Sequence, residues 1–273
     1  MIGKAGMIEQ LARWSAKGAR KRLALAGLLA AAVLVAPLPA AGAAAAPMIV
    51  GGRGATEEYP FMVSLRTDQG RHYCGGTLIH PEWVLTAAHC VAHGKEGSTA
   101  RVGSNDRTLG GTEARVARIV LHPDFTPPPL WAVDIALVRL DRPVPQEPAS
   151  IAREAGGAGS PVRMLGWGMA CESGDECLAL PAELRELDSE IVPAGRCAGL
   201  DGATELCVEH PAEHVQACVF DSGGPLLQAG PGGWELVGAT SRDGDADPRC
   251  ASGPGIWTNV TAYTDWIGHT VAG

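Results

Sequence analysis

Apolar residues recur along this chain in short runs, cut by glycine, proline, aspartate and asparagine. Segment 59–66 mixes apolar and polar positions, and 74–79, 83–88, 114–121 and 135–140 are apolar or alternating. Turn-forming clusters such as Gly103-Ser104-Asn105-Asp106 and Thr126-Pro127-Pro128-Pro129 separate them. A second set covers 161–166, 184–192, 225–228, 234–240 and 255–260. Short runs between turn signals predict strands, and many of them at such spacing predict an all-β sandwich or barrel. The 36 glycines suit tight turns more than helices. Segment 141–159, rich in proline, alanine and glycine, reads as a linker between two halves. Only 261–271 changes period: Tyr263, Trp266 and Ile267 fall at helical spacing and predict one C-terminal helix.

The first residues follow another pattern. Lys4, Arg13, Lys17, Arg20, Lys21 and Arg22 stand against one acid, Glu9, and precede an uncharged apolar run over 23–36. Small residues up to Ala46 follow. This is the layout of a secretory leader, expected over 1–46. The alternative is a membrane anchor, but a span needs about 20 apolar residues and this run is shorter. Cleavage of the leader removes six bases and one acid, so the net charge moves from -8 to -13. Such a surface repels nucleic acid and anionic membranes, and neither is an expected partner. The remaining ~225 residues suit one or two domains.

All eight cysteines follow the leader: Cys74, Cys90, Cys171, Cys177, Cys197, Cys207, Cys218 and Cys250. An even count in an exported chain points to disulfides, whose pairing spacing alone does not decide. Zinc would call for a C-x2-C pair, which is absent. No metal and no cofactor is expected.

Three segments carry candidate chemistry: Leu85-Thr86-Ala87-Ala88-His89-Cys90, Asp134-Ile135-Ala136-Leu137-Val138-Arg139-Leu140 and Asp221-Ser222-Gly223-Gly224-Pro225-Leu226. A serine hydroxyl is a poor nucleophile until a base takes its proton, and imidazole suits that task. A carboxylate on the far ring nitrogen fixes the tautomer. Taken singly, each segment has a structural reading: a histidine beside a cysteine, an aspartate opening a strand, a serine in a glycine turn. Rival layouts fail. An α/β-hydrolase needs G-x-S-x-G with its acid and histidine after the serine, and here Phe220 takes the first glycine position. The H-E-x-x-H look-alike His210-Pro211-Ala212-Glu213-His214 has the wrong order and a proline, and reads as an exposed loop.

Together the three segments resemble the chymotrypsin/trypsin family of serine proteases over nearly all of 49–273, in that family's His, Asp, Ser order. The alanine-rich, arginine-over-lysine composition suggests the secreted bacterial branch. The resemblance implies two six-stranded antiparallel Greek-key β-barrels with a C-terminal helix, over 49–150 and 151–273. It implies a serine endopeptidase with His89, Asp134 and Ser222 as catalytic residues and the N–H groups of Phe220 and Ser222 as the oxyanion hole. Ile49-Val50-Gly51-Gly52 looks like the new N-terminus of an activated zymogen, its α-amino group pairing with Asp221. Residues 47–48 are then a very short propeptide. The implied disulfides are Cys74–Cys90, Cys171–Cys177, Cys197–Cys207 and Cys218–Cys250. The family's calcium loop falls near 103–112, short and with only Asp106 as an acid, so calcium is not expected. The implied partners are protein or peptide substrates and protein inhibitors, for a secreted monomer.

Several positions depart from the family pattern. Phe220 replaces a glycine, and its ring is expected to narrow the leaving-group side. Gln216 stands at the base of the primary pocket where trypsin-like enzymes have aspartate, so basic side chains are not favoured. Ala217 and Gly255 leave the pocket open. Ser241-Arg242-Asp243 replaces the usual Ser-Trp-Gly edge, with Ser241 keeping its bond to the triad aspartate. A catalytically weak or inactive homologue that binds without cleaving is the competing reading, and an esterase is a third. Asn259-Val260-Thr261 is a glycosylation sequon.

Overall fold

A computed structural model describes residues 49–128, 132–172, 174–247 and 249–273. The leader and residues 47–48 lie outside them. The described residues fall in one compact unit, 45–273. None of their helices is long and apolar enough to cross a membrane.

The first half is a closed six-stranded barrel. Its strands are β2 (Met62–Arg66), β3 (His72–His80), β4 (Trp83–Thr86), β5 (Thr99–Val102), β6 (Thr112–Leu121) and β7 (Ala136–Leu140), in the order β2-β3-β4-β7-β6-β5. All pairings are antiparallel. Period-two burial is clear on β5, where Ala100 and Val102 are buried and Thr99 and Arg101 less so. A four-residue helix α1 (Ala88–Val91) follows β4 and carries His89.

The second half contains β9 (Pro161–Gly166), β10 (Arg185–Val192), β11 (Glu205–Glu209), β12 (Pro225–Gly230), β13 (Gly233–Asp243) and β14 (Gly255–Asn259). They run β10-β11-β14-β13-β12-β9, and β9 pairs back to β10. This is the second expected barrel. Two short strands join it from outside. β1 (Arg53–Gly54) pairs with β10 and β8 (Ser150–Ile151) pairs with β13, so residues assigned from sequence to the first half and the linker are drawn onto the second sheet. The cause at β1 is polar. Arg53 pairs with the buried Glu186, which also accepts from Tyr59 Oη at 2.6 Å and Thr56 N at 3.1 Å. A buried carboxylate so surrounded is costly to unpair and pins the segment around Arg53 to β10. The helix α2 (Thr264–Ala272) ends the chain after a 3-10 turn, Val260–Tyr263, capped by Asn259 Oδ1 accepting from Thr261 N.

One apolar cluster fills the first barrel and continues through Leu165, Trp167, Leu227 and Leu236 to Tyr263 and Ile267 of the C-terminal segment. A second cluster, with Met164, Val208, Leu226, Val237 and Trp257, fills the other barrel and includes Ile49. Burying a large apolar side chain contributes about 1.5–3 kcal/mol. The four bridges are Cys74–Cys90, Cys171–Cys177, Cys197–Cys207 and Cys218–Cys250.

Candidate active site

Three different elements bring the polar residues together. His89 is on α1, tied to β3 through the Cys74–Cys90 bridge next to it. Asp134 lies just before β7 and its side chain is buried. Its Oδ2 is 2.7 Å from His89 Nδ1 and accepts from Ser241 Oγ at 2.7 Å, while Oδ1 accepts from His89 N at 2.9 Å. Thr258 Oγ1 donates to the Asp134 carbonyl at 2.8 Å, so β13 and β14 of the second barrel hold an aspartate of the first. Burial alone would raise this carboxyl. The bonds from His89 and Ser241 outweigh it and hold the pKa below the ordinary value.

Ser222 comes from the second barrel, in the turn before β12, and lines one cleft with His89. The turn is stitched to the first barrel. Gly75 N donates to Ser222 O at 2.8 Å. Gly223 has φ +76, and a Cβ there would meet Thr86 Oγ1 at 2.1 Å and Gly75 O at 2.7 Å. Only glycine lets the two backbones approach this closely, which accounts for Gly223 directly after the serine.

The N–H groups of Phe220 and Ser222 donate to no protein acceptor among the described residues. Phe220 has φ 76, a left-handed conformation costing a residue with a side chain about 1–2 kcal/mol. His72 Nε2 lies 3.1 Å from the Phe220 carbonyl, and its Nδ1 is 2.8 Å from Ser64 Oγ. Burial pushes the His72 pKa down to about 4, so near neutral pH the ring is uncharged. Sequence reading missed His72. Nothing local marks it, because its partner is 148 residues away.

Behind the turn, Asp221 is buried and accepts from Gly168 N at 2.7 Å and Cys218 N at 3.0 Å. Among the described residues no cation pairs with it. Burial pushes its pKa up to about 7, against the two amide bonds. Ile49 is 1% exposed with φ 41, its side chain in the second core, and Val50 forms a bridge with Gln216.

The pocket beside Ser222 has a volume of ≈ 250 Å³ and is lined in part by Gln216, Ala217, Ser241, Arg242, Asp243 and Gly255. Gln216 is buried with both ends of its amide used: Nε2 donates to Val208 O at 2.9 Å and Oε1 accepts from Ala217 N at 3.0 Å. Arg242 turns onto the buried Glu205 of β11 in a two-pronged ion pair, so it adds no net charge to the pocket. Asp243 has its pKa raised by burial and by Asp245. Among the described residues, the one metal-sized group of His, Cys and acids is Cys74, His89 and Cys90, and both its sulfurs are used in a disulfide. His210–Glu213–His214 lies in an irregular loop, where His214 Nδ1 meets Glu172.

Asp221 and His72 give opposite pH dependences. An acid whose folded pKa is raised stabilises below its unfolded value, and that stability is lost as pH rises from about 4 to 7. A histidine whose folded pKa is depressed does the reverse, losing stability as pH falls from 6.5 to about 4. The shifts correspond to roughly 4 and 3 kcal/mol. In the chain as described the two offset each other between pH 4 and 6.5. Urea unfolding of the chain not cleaved before Ile49, from pH 4 to 7, should therefore show His72→Gln steepening the loss of stability toward pH 7. An unchanged slope would overturn the assignment.

The sequence matches the Trypsin family over residues 49–267. It is 36% identical to Serine protease 56 of Mus musculus over 237 residues, 80% of this chain and 38% of that protein. It is 29% identical to an ovochymase of Halocynthia roretzi, of which it spans 15%. With Beta-fibrinogenase mucrofibrase-3 of Protobothrops mucrosquamatus it shares 34% identity over 239 residues, 83% of this chain and 88% of that protein. Among solved structures, neuropsin, a serine protease of mouse brain, superposes with a TM-score of 0.70 at 26% identity, covering 81% of this chain and 99% of its own. Human heparin binding protein gives 0.68 at 27%, covering 82% and 96%. These relatives are animal proteins and lend no support to the bacterial branch suggested by composition. The two barrels, the meeting of His89, Asp134 and Ser241 beside the cleft that Ser222 lines, and the match over 49–267 agree: the chain belongs to the trypsin family of serine endopeptidases.

Proposed function

We propose that this chain is a secreted endopeptidase that cleaves peptide bonds through an acyl-enzyme on Ser222. The observation that carries this reading is the Ser241–Asp134–His89 hydrogen-bonded line beside the cleft that Ser222 lines. His89 takes the Ser222 proton as the hydroxyl attacks, then returns it to the leaving amine. Asp134 keeps the Nδ1 proton in place and stabilises the imidazolium. The N–H groups of Phe220 and Ser222 donate to the carbonyl oxygen and stabilise the negative charge that develops on it. Water, activated by the same imidazole, then releases the acyl group.

The pocket is neutral at Gln216, whose amide is already engaged, and Arg242 is neutralised by Glu205. Both favour a medium-sized polar or apolar side chain over a basic one, with Ala217 and Gly255 as small walls and Asp243 on the rim. Residues 1–46 act as the signal peptide and 47–48 as the propeptide; 49–150 and 151–273 are the two halves of the mature monomer. Cleavage before Ile49 frees an α-amino group to pair with Asp221. The buried side chain of Ile49, and an Asp221 carboxyl with which no cation among the described residues pairs, support this. Substrates and inhibitors are proteins or peptides, and the acidic mature surface disfavours nucleic acid and membranes.

The chain produced with Ile49 as its first residue should take up one equivalent of an organofluorophosphate on Ser222. It should cleave a peptide library after neutral side chains. Absence of both label and turnover would favour the binding homologue. Cleavage confined to arginine and lysine would overturn the pocket reading.

A further inference from the structure

Phe220 is held where a side chain is least welcome, at φ 76 on a residue that lines the cleft and whose N–H meets no acceptor among the described residues. Glycine takes this conformation without strain, whereas a phenylalanine stays there only if its surroundings over-determine it. Part of those surroundings comes from the segment that follows β9. Gly168 N holds the Asp221 carboxylate at 2.7 Å, and Met169 N donates to Val219 O at 2.9 Å, on either side of Phe220. Two residues beyond Met169 the Cys171–Cys177 bridge begins. Phe220, Cys171 and Leu180 pack on one apolar cluster made of Val50, Met169, Cys177, Cys218, Cys250 and Ala251. The ring thus lies on a surface that the bridged loop helps to build.

We infer that the Cys171–Cys177 loop is a positioning element for the oxyanion hole: it seats the Phe220 ring and so keeps the Phe220 N–H aimed into the cleft. The inference rests on the reading of Ser222 as nucleophile. Its logic is conditional on the side chain, because a glycine at 220 would need no seat. The loop therefore matters for rate only while residue 220 has a ring to anchor.

The test is a double-mutant cycle on the mature enzyme. Cys171→Ser with Cys177→Ser should lower kcat about ten- to a hundredfold, a fraction of the loss of an oxyanion donor, with KM nearly unchanged. Affinity for a peptidyl trifluoromethyl ketone, which forms a tetrahedral oxyanion, should fall by the same factor. In a Phe220→Gly background the same pair of exchanges should change kcat by less than about threefold. Phe220→Ala keeps the strained backbone but loses the ring, and should fall at least about tenfold below Phe220→Gly. Equal losses from the cysteine exchange in both backgrounds would overturn the inference, as would Phe220→Ala matching the native kcat. If the double-serine chain does not fold, the alanine and glycine variants decide it alone. Organofluorophosphate labelling of the native enzyme separates the levels. No label sinks the nucleophile reading, whereas a label without coupling sinks only the role of the loop.

Discussion

Replacing Ser222 by alanine is expected to lower kcat for peptide cleavage about a millionfold, with KM within a fewfold of native. The exchange removes one oxygen. It leaves the Gly75 N–H to Ser222 carbonyl bond, the glycine turn and the pocket unchanged, because none of them uses the hydroxyl. Substrate binding should therefore persist while the attacking atom is gone. The remaining rate would come from the pocket and the two amide donors, which by themselves support about 10³–10⁴-fold over water. Single-turnover cleavage of a fluorogenic peptide, with calorimetric titration of a product peptide, measures both quantities. Retention of more than about 1% of native kcat would show that another group is the nucleophile.

Asp134→Asn is expected to cost about 10⁴ in kcat. The carboxylate accepts three hydrogen bonds: from the His89 backbone, from His89 Nδ1 and from Ser241 Oγ. A carboxamide has one accepting oxygen. If that oxygen stays on the backbone N–H, the amide nitrogen faces His89 Nδ1 and forces the ring proton to Nε2. The imidazole then has no lone pair toward the serine, and general-base catalysis stops while the geometry survives. The prediction requires the organofluorophosphate labelling rate to fall in parallel with kcat, since both need the same proton transfer. A kcat within tenfold of native would mean that Asp134 has only a structural role.

Strands β2, β4, β7, β9 and β10 stand within a few residues of their expected places because their burial alternates or is continuous, and turn residues bound them. The C-terminal helix begins at Thr264 rather than at 261, since Val260–Tyr263 forms a capped 3-10 turn first. β5 was missed because four residues with a central arginine carry too little signal. In a closed barrel such a strand is stable because both of its edges are paired, to β2 and β6. β11 was missed because Glu205 and Glu209 frame it. Its buried Glu205 is acceptable only because Arg242, 37 residues on, neutralises it.

Residue types suited to acyl transfer, their order and the short segments that carry them are legible in the chain itself, because those signals are local. The tertiary structure alone decided that β1 joins the second barrel, that His72 braces the Phe220 carbonyl, and that a bridged loop shares an apolar cluster with Phe220. Each of these is a contact between residues far apart in the chain. Hydrophobic period fixes which face of an element is buried; only the closing of the barrels determines which partner meets it.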